Sequence, residues 1–146
     1  MSNAPTPNGD ALARRVAEKL HAGERTSTAY DIRLEDAGVG YARASMVVTE
    51  EMLNGLDVCH GGVIFLLADT AFAWGCNSRN VATFAQHGSI SFISMATKGE
   101  TLTAEAREEA SEGRTGVYVV SVKCGDRVVA MFQGLSRTKG GPVVEE

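Results

Sequence analysis

Between Cys59 and Gly75 the chain reads Cys-His-Gly-Gly-Val-Ile-Phe-Leu-Leu-Ala-Asp-Thr-Ala-Phe-Ala-Trp-Gly. After its polar opening the run is apolar on every helical face except at Asp69 and Thr70. A helix of that kind lies inside a protein, and this one is shorter than the ~20 residues a bilayer span requires. A carboxylate in its middle is expensive to bury without partners, and apolar surroundings make it more basic. Such a group can draw a proton from water or attack an electrophile itself. The run opens on His60-Gly61-Gly62, where a helix start leaves unpaired N–H groups with a positive partial charge. The glycines, the histidine and the carboxylate are the residues here with chemistry to offer.

Other groups point to less. Cys59, Cys76 and Cys124 show no close pairing, so a reducing cytosol is expected rather than a secreted disulfide framework. Cys59 beside His60 does not by itself make a thiol dyad. His21, His60 and His87 match no metal-ligand spacing, and no metal is expected. Net charge is −4, which offers no basic footprint for nucleic acid. Residues 1–9 are polar, without the apolar core of a secretory leader. Read from the residues alone, Asp69 suits an N-cap of a second helical segment, Thr70 to Gly75, as well as it suits catalysis. His60 suits a helix start, Asn54-Gly55 a turn, and Arg114, Arg137 and Lys139 solvated charges.

The elements that would position these residues follow from patterning. The 146 residues, 44% of them apolar, suit one domain with its own core. Residues 1–9 read as a loose tail, 10–141 as a single domain and 142–146 as a second tail. Asp10 is the expected N-cap of a helix from Ala11 to about His21. A short strand is expected near Tyr30–Glu35, and another over Tyr41–Val48. Thr49 to Asp57 reads as a loop with one helical turn, followed by the apolar helix. Segments 82–94, 101–111, 115–124 and 127–137 alternate with period two, and Gly125-Asp126 suits a tight hairpin. A curved antiparallel sheet wrapping the apolar helix, an α+β layer arrangement, satisfies all of these pieces.

The order strand, loop with Asn, His-Gly-Gly, buried helix with Asp, then four strands resembles the hotdog-fold thioesterases. Among them it is most similar to the PaaI-type acyl-CoA thioesterases of phenylacetate degradation. The matching words are Met52-Leu53-Asn54-Gly55, Cys59-His60-Gly61-Gly62, Leu67-Ala68-Asp69-Thr70-Ala71-Phe72-Ala73, Cys76-Asn77-Ser78, Thr101-Leu102-Thr103-Ala104 and Thr115-Gly116-Val117-Tyr118. They span roughly Tyr30 to Gly141.

The resemblance implies hydrolysis of a small, aromatic acyl-CoA, such as phenylacetyl-CoA or a hydroxylated relative, to free acid and CoA. It implies no metal or redox cofactor, CoA being part of the substrate. It implies cytoplasmic dimers, commonly paired into tetramers. Carried onto this chain, Asp69 is the catalytic carboxylate, as base or nucleophile. Asn54 and His60 orient the reacting groups, and the Gly61 N–H polarises the thioester carbonyl. Substrate contacts fall on Thr70, on Phe92 and Ser94, on Gly113, Arg114 and Thr115, and on Lys139. Where the family often has an Asp followed by Arg-Pro, this chain has Ser91, Ser94 and Met95. A non-hydrolytic acyl-CoA-binding module and a thioesterase for another acyl group are the competing readings. In one continuous helix, eight steps from Gly61 to Asp69 span ~12 Å, too far for both to meet one thioester carbon. A composite centre is therefore expected, with Gly61 and Asn54 from one subunit and Asp69 from its partner.

Overall fold

The computed structural model describes residues 7–146. Helix α1 (Pro7–Gly23) and the short α2 (Arg25–Ala29) lead into strands β1 (Arg33–Gly38) and β2 (Tyr41–Val47). A single 3-10 turn, Glu50–Met52, precedes the long helix α3 (Gly61–Cys76). Strands β3 (Thr83–Phe92), β4 (Thr101–Glu112), β5 (Thr115–Cys124) and β6 (Arg127–Thr138) complete the chain. All six strands form one antiparallel sheet in the order β1-β2-β4-β5-β6-β3. The sheet wraps α3, the arrangement that the patterning and the resemblance imply.

The core lies between helix and sheet. Leu67, Ala68, Ala71, Phe72 and Trp74 of α3 are fully buried, as are Ala44, Ala104, Val120 and Val122 of the strands. Phe72 packs obliquely on Tyr118 and Phe132, with ring centroids 5.5 and 5.7 Å apart. A Cβ at Gly134 would stand 2.8 Å from the Phe72 ring, so the helix lies this close to β6 only because that position is glycine. At the helix's end the buried Asn77 side chain donates to the carbonyls of Ala73 and Thr83 and accepts from the Thr83 N–H. This amide clamp fixes where β3 begins.

Several expectations shift. Residues 1–6 of the expected tail lie outside the described residues, and Pro7 to Gly9 already belong to α1. Asp10 is no N-cap; it sits within the helix, and its Oδ1 accepts from the Val39 N–H at 2.9 Å. Tyr30 caps α2 instead of opening a strand, so β1 starts at Arg33. The Tyr30, Ile32, Leu34 alternation is real burial with a turn inside it, at Asp31 with φ 50°. His21, at the end of α1, ties the helix down: its Nε2 lies 2.8 Å from the Ile32 carbonyl oxygen, and its ring meets Trp74 edge-on. Residues 142–146 carry no regular structure, yet Asn80 binds the backbone of Val143 and Val144, and Arg15 donates to the Glu145 carbonyl.

The two free sheet edges differ in chemistry. β1 carries Arg33, Glu35 and Asp36 with a bulge between Leu34 and Asp36, features that discourage strand addition. β3 runs ten residues with His87 as its only titratable side chain. It is exposed almost throughout, including Phe84 and Phe92.

Candidate active site

Helix α3 is unbroken from Gly61 to Cys76, so Asp69 caps no second segment. Most of the helix is covered by the sheet. Gly61, Gly62, Val63, Phe65, Leu66, Asp69, Ala73 and Cys76 are not fully covered. Beyond the first turn, Phe65, Leu66, Asp69, Ala73 and Cys76 share one stripe, recurring every three to four residues. That stripe is the open face of the helix, and Asp69 stands in its middle.

Asp69 is half-buried, and no hydrogen-bond or ion-pair partner for its carboxylate is found among the described residues. Burial, and after it the charge of Glu24, hold its carboxyl above the usual carboxylate range. A carboxylate with unused lone pairs and raised basicity is suited to taking a proton or attacking a carbon.

The N-terminus of α3 is built by a loop folded back on itself. His60 is the N-cap: its Nδ1 accepts from the Gly62 N–H at 2.9 Å. With Nδ1 as acceptor, a neutral imidazole carries its proton on Nε2 and presents it outward. The His60 N–H donates to the Met52 carbonyl and the Cys59 N–H to that of Ala96. Asn54 Oδ1 accepts from the Leu56 and Val58 N–H groups, so its carbonyl end holds its own turn. The Gly61 N–H has no acceptor among the described residues. A Cβ on Gly61 would come within 2.9 Å of Phe92 Cζ, so that ring already lies against the first turn of the helix.

The structure therefore gathers Asn54, His60, Gly61 and Phe92 at one end of α3. Ser94 lies nearby on the loop after β3, but its hydroxyl is given to the Val128 carbonyl at 2.7 Å. Thr70 does not join the site. One position on from Asp69 it turns about 100° around the helix into the packed side, where it is 6% exposed and donates to the Leu66 carbonyl. Gly113, Arg114 and Thr115 form the β4–β5 hairpin, and Lys139 lies just past β6, its ammonium 5.8 Å from the Phe84 ring centroid. These sit at the Thr83 end of β3, since Thr83 pairs with Thr138 and Phe92 with Ala130. Nine strand steps separate the two ends, about 30 Å.

A groove of about 1050 Å³ opens at that far end. It is lined by Arg14, Cys76, Arg79, Arg114, Thr115 and Tyr118 among others. Arg79 is paired with Glu108 at 2.6 Å, whereas Arg114 has no partner among the described residues. Sequence reasoning missed Arg79, because a lone arginine after a helix carries no signal. No group of three or more His, Cys, Asp or Glu that could hold a metal ion occurs among the described residues. No helix among them is long and apolar enough to cross a membrane.

Comparison with known proteins adds to this geometry. The family described as Thioesterase superfamily matches residues 56–131. The acyl-coenzyme A thioesterase PaaI of Escherichia coli strain K12 is 38% identical over 131 residues, covering 89% of this chain and 94% of that protein. A putative esterase of Archaeoglobus fulgidus is 35% identical over 130 residues, covering 88% and 84%. The solved structure of the E. coli PaaI protein from the phenylacetic acid degradation operon superposes with a TM-score of 0.89 at 36% identity, covering 91% of this chain and 97% of that one.

Proposed function

This chain belongs to the thioesterase superfamily, and from that premise we propose that it hydrolyses small, aromatic acyl-CoA thioesters of the phenylacetyl type at a centre shared by two copies. The observation that carries the reading is the open face of α3. An N–H without an acceptor at Gly61 and a carboxylate without a donor at Asp69 lie on one straight helix. Eight residues at 1.5 Å each set them ~12 Å apart, too far to serve one carbon.

Two copies related by a two-fold axis remove the difficulty. Antiparallel pairing of the uncharged β3 edges would extend the sheet and turn the open faces of α3 toward each other. It also brings the Thr83 end of one β3 beside the Phe92 end of the other. The two clusters of substrate-binding residues, ~30 Å apart within a protomer, then serve one ligand. The thioester lies at Gly61, and the nucleotide phosphates reach Arg114 and Lys139 of the partner subunit. This two-site dimer is the unit of function, and pairing of two dimers into a tetramer leaves its centres intact.

In the reaction the thioester oxygen faces the Gly61 amide at the positive end of the helix. Asp69 of the partner subunit activates the attack, as base to a water or as nucleophile in its own right. The carbonyl carbon gains an oxygen and its C–O double bond opens to an oxyanion. Collapse expels the CoA thiolate, which takes up a proton; on the base route this leaves the free acid, and on the nucleophile route a water then hydrolyses the acyl-Asp69 anhydride to free both the acid and the carboxylate. Neither a metal nor a redox cofactor is needed. The three free cysteines fit a reducing cytosol, where the enzyme returns CoA from acyl esters of phenylacetate degradation.

Mixing two inactive variants tests the reading. Gly61→Ala and Asp69→Asn homodimers should each be inactive. After subunit exchange half the dimers are mixed, and each has one intact centre of two, so about a quarter of wild-type turnover should return. No recovery after demonstrated exchange would refute the shared centre. Failure of the wild-type enzyme on a panel of aryl and short acyl-CoA esters would refute the activity itself.

A further inference from the structure

Phe65 lies midway between Gly61 and Asp69, four residues from each, which is about 6 Å along the helix axis in either direction. It belongs to the open stripe of α3 and is half-buried. Its ring meets Phe132 of β6 edge-on, with centroids 5.2 Å apart and planes at 82°. A Cβ at Gly88 of β3 would stand 3.3 Å from Phe65 Cζ, and 3.0 and 3.1 Å from Phe132 Cε2 and Cζ. Gly88 pairs with Gly134 across β3 and β6, and a Cβ at Gly134 would meet Phe72 and Phe132 closer still. Two facing glycines thus bare a stretch of sheet, and the rings of Phe65, Phe72 and Phe132 lie down on it.

The three rings are not equivalent. Phe72 and Phe132 are 0% and 2% exposed, whereas Phe65 keeps a free surface on the stripe that carries Asp69. In the dimer proposed above, pairing Gly61 with Asp69 of the partner subunit sets residue 65, halfway between them, at the two-fold axis. Gly88, at the middle of the ten-residue β3, falls at the same axis when the two edges pair end to end. The CoA arm leaves Gly61 outward, toward Arg114 of the partner subunit. The acyl group therefore points inward along α3, toward the Phe65 ring. Phe92, the other ring near Gly61, lies against the first turn of α3, at the outer end where the CoA arm passes.

We propose that Phe65 is a specificity-determining residue: its free ring surface is the wall on which the aromatic part of the acyl group packs, and the bare backbone of Gly88 holds that wall down, out of the acyl path. The proposal rests on the shared centre described above and adds the residue that reads the acyl group. An aryl ring set against Phe65 gains an edge-to-face or offset contact that a short aliphatic chain lacks. Because the two copies of Phe65 meet at the axis, they also close the inner end of each pocket and so limit acyl length. A Cβ on Gly88 would lift this wall rather than move Phe132. The Phe132 ring is buried between Phe65 and Phe72, its centroid 5.7 Å from the latter, while Phe65 borders the open stripe.

The experiment compares phenylacetyl-CoA, acetyl-CoA and octanoyl-CoA on the full-length protein. Two readouts are used: kcat/KM, and calorimetric affinity in an Asp69→Asn background, where binding needs no turnover. Phe65→Ala should weaken phenylacetyl-CoA about tenfold in both readouts, leave acetyl-CoA within about twofold, and improve octanoyl-CoA. The variant should remain a dimer by size-exclusion chromatography. Gly88→Ala should weaken phenylacetyl-CoA and octanoyl-CoA and spare acetyl-CoA. In a Phe65→Ala chain it should add no further loss, since no ring is left to lift. Equal losses on all three esters overturn the proposal, as does unchanged discrimination. A Phe65→Ala protein that is unfolded or monomeric also overturns it, because the ring would then serve the fold or the interface. An equal effect of Gly88→Ala with and without the Phe65 ring overturns the role of Gly88, and Phe65→Ala decides the rest whether or not Gly88→Ala folds. Selective loss of phenylacetyl-CoA binding, in a protein whose wild type hydrolyses none of the esters, removes the functional reading and keeps the acyl wall. Hydrolysis with unaltered selectivity does the reverse.

Discussion

Replacing Gly61 by alanine separates the cost to the fold from the cost to the chemistry. The new Cβ would lie 2.9 Å from Phe92 Cζ and 3.3 and 3.4 Å from its two Cε atoms. Ordinary carbon contact requires the ring to withdraw by roughly 1 Å. Phe92 is 53% exposed at the end of an edge strand, so it can withdraw at small cost. Alanine is also up to about 1 kcal/mol better than glycine in a helix, and the two effects largely offset, leaving the melting temperature within about 4 °C of wild type. The methyl, however, would crowd the approach to the Gly61 amide, the one N–H of the first turn with no acceptor among the described residues. Loss of one oxyanion donor costs ~2.7–4 kcal/mol, or ~10²–10³ in kcat, and should lower kcat and kcat/KM together. Release of CoA can be followed with a thiol-reactive chromogen. Burial pushes Cys59 up to about 11 and Cys76 up to about 12, and the Glu100 carboxylate raises Cys124, so the protein's own thiols react slowly. Gly61→Ala combined with Phe92→Ala removes the crowding but leaves the methyl, and it should stay slow. A folded Gly61→Ala enzyme that turns over like wild type refutes the oxyanion assignment. Recovery in the double variant would assign the loss to the displaced ring.

Asp69→Asn should abolish activity while strengthening the fold. Because the folded state holds the Asp69 carboxyl above its ordinary range, its ionised form costs stability. That cost is absent in acid, where the group is protonated whether folded or not. It grows as pH rises from the unfolded to the folded titration point, and is constant above. The variant should therefore melt with wild type at low pH and above it at neutral pH, with turnover down by ~10²–10⁴; thermal melts across pH check this, and a lower neutral melting point would refute it. Asn77→Ala removes three hydrogen bonds at the α3–β3 junction and strands the Thr83 N–H and carbonyl. It should cost about 3 kcal/mol, seen as a lower urea midpoint with an unchanged slope; a loss within error would show the clamp to be dispensable.

Long periodic segments were legible in the sequence. The apolar run could only be a buried helix, and β4, β5 and β6 end at glycine or polar turns, whereas β3 stops at Phe92, before Ile93-Ser94-Met95 and two residues short of the expected end. Helix α2 was not legible, because five residues are too few to show a period and its only buried residue is a serine. Thr70 illustrates a limit of motif reading. It lies beside Asp69 in the sequence, but helical geometry turns it into the packing. His60 and Asn54 show the converse: their side chains do the local work that the plain readings assigned them, an N-cap and a turn. Those same bonds leave His60 Nε2 and the Asn54 amide nitrogen without a partner among the described residues.

The placement of Gly61 and Asp69 on one helix has a physical logic. An N–H without an acceptor and a carboxylate without a donor each cost folding free energy, and in a lone protomer neither is relieved by the other. Bringing them together within one chain would require breaking α3 between residues 61 and 69. There Ile64, Leu67 and Ala68 are buried in the core, and a break would expose that packing and strand helical amides. In the proposed dimer, a second copy rotated about a two-fold axis would leave both helices straight and complete two centres with one interface. The edge that would be joined is the one without charges to repel a neighbour. On that proposal the two unpaired groups stand where a second copy could reach them, at the first turn and on the open stripe of α3, while the sheet-facing side is closed by apolar packing.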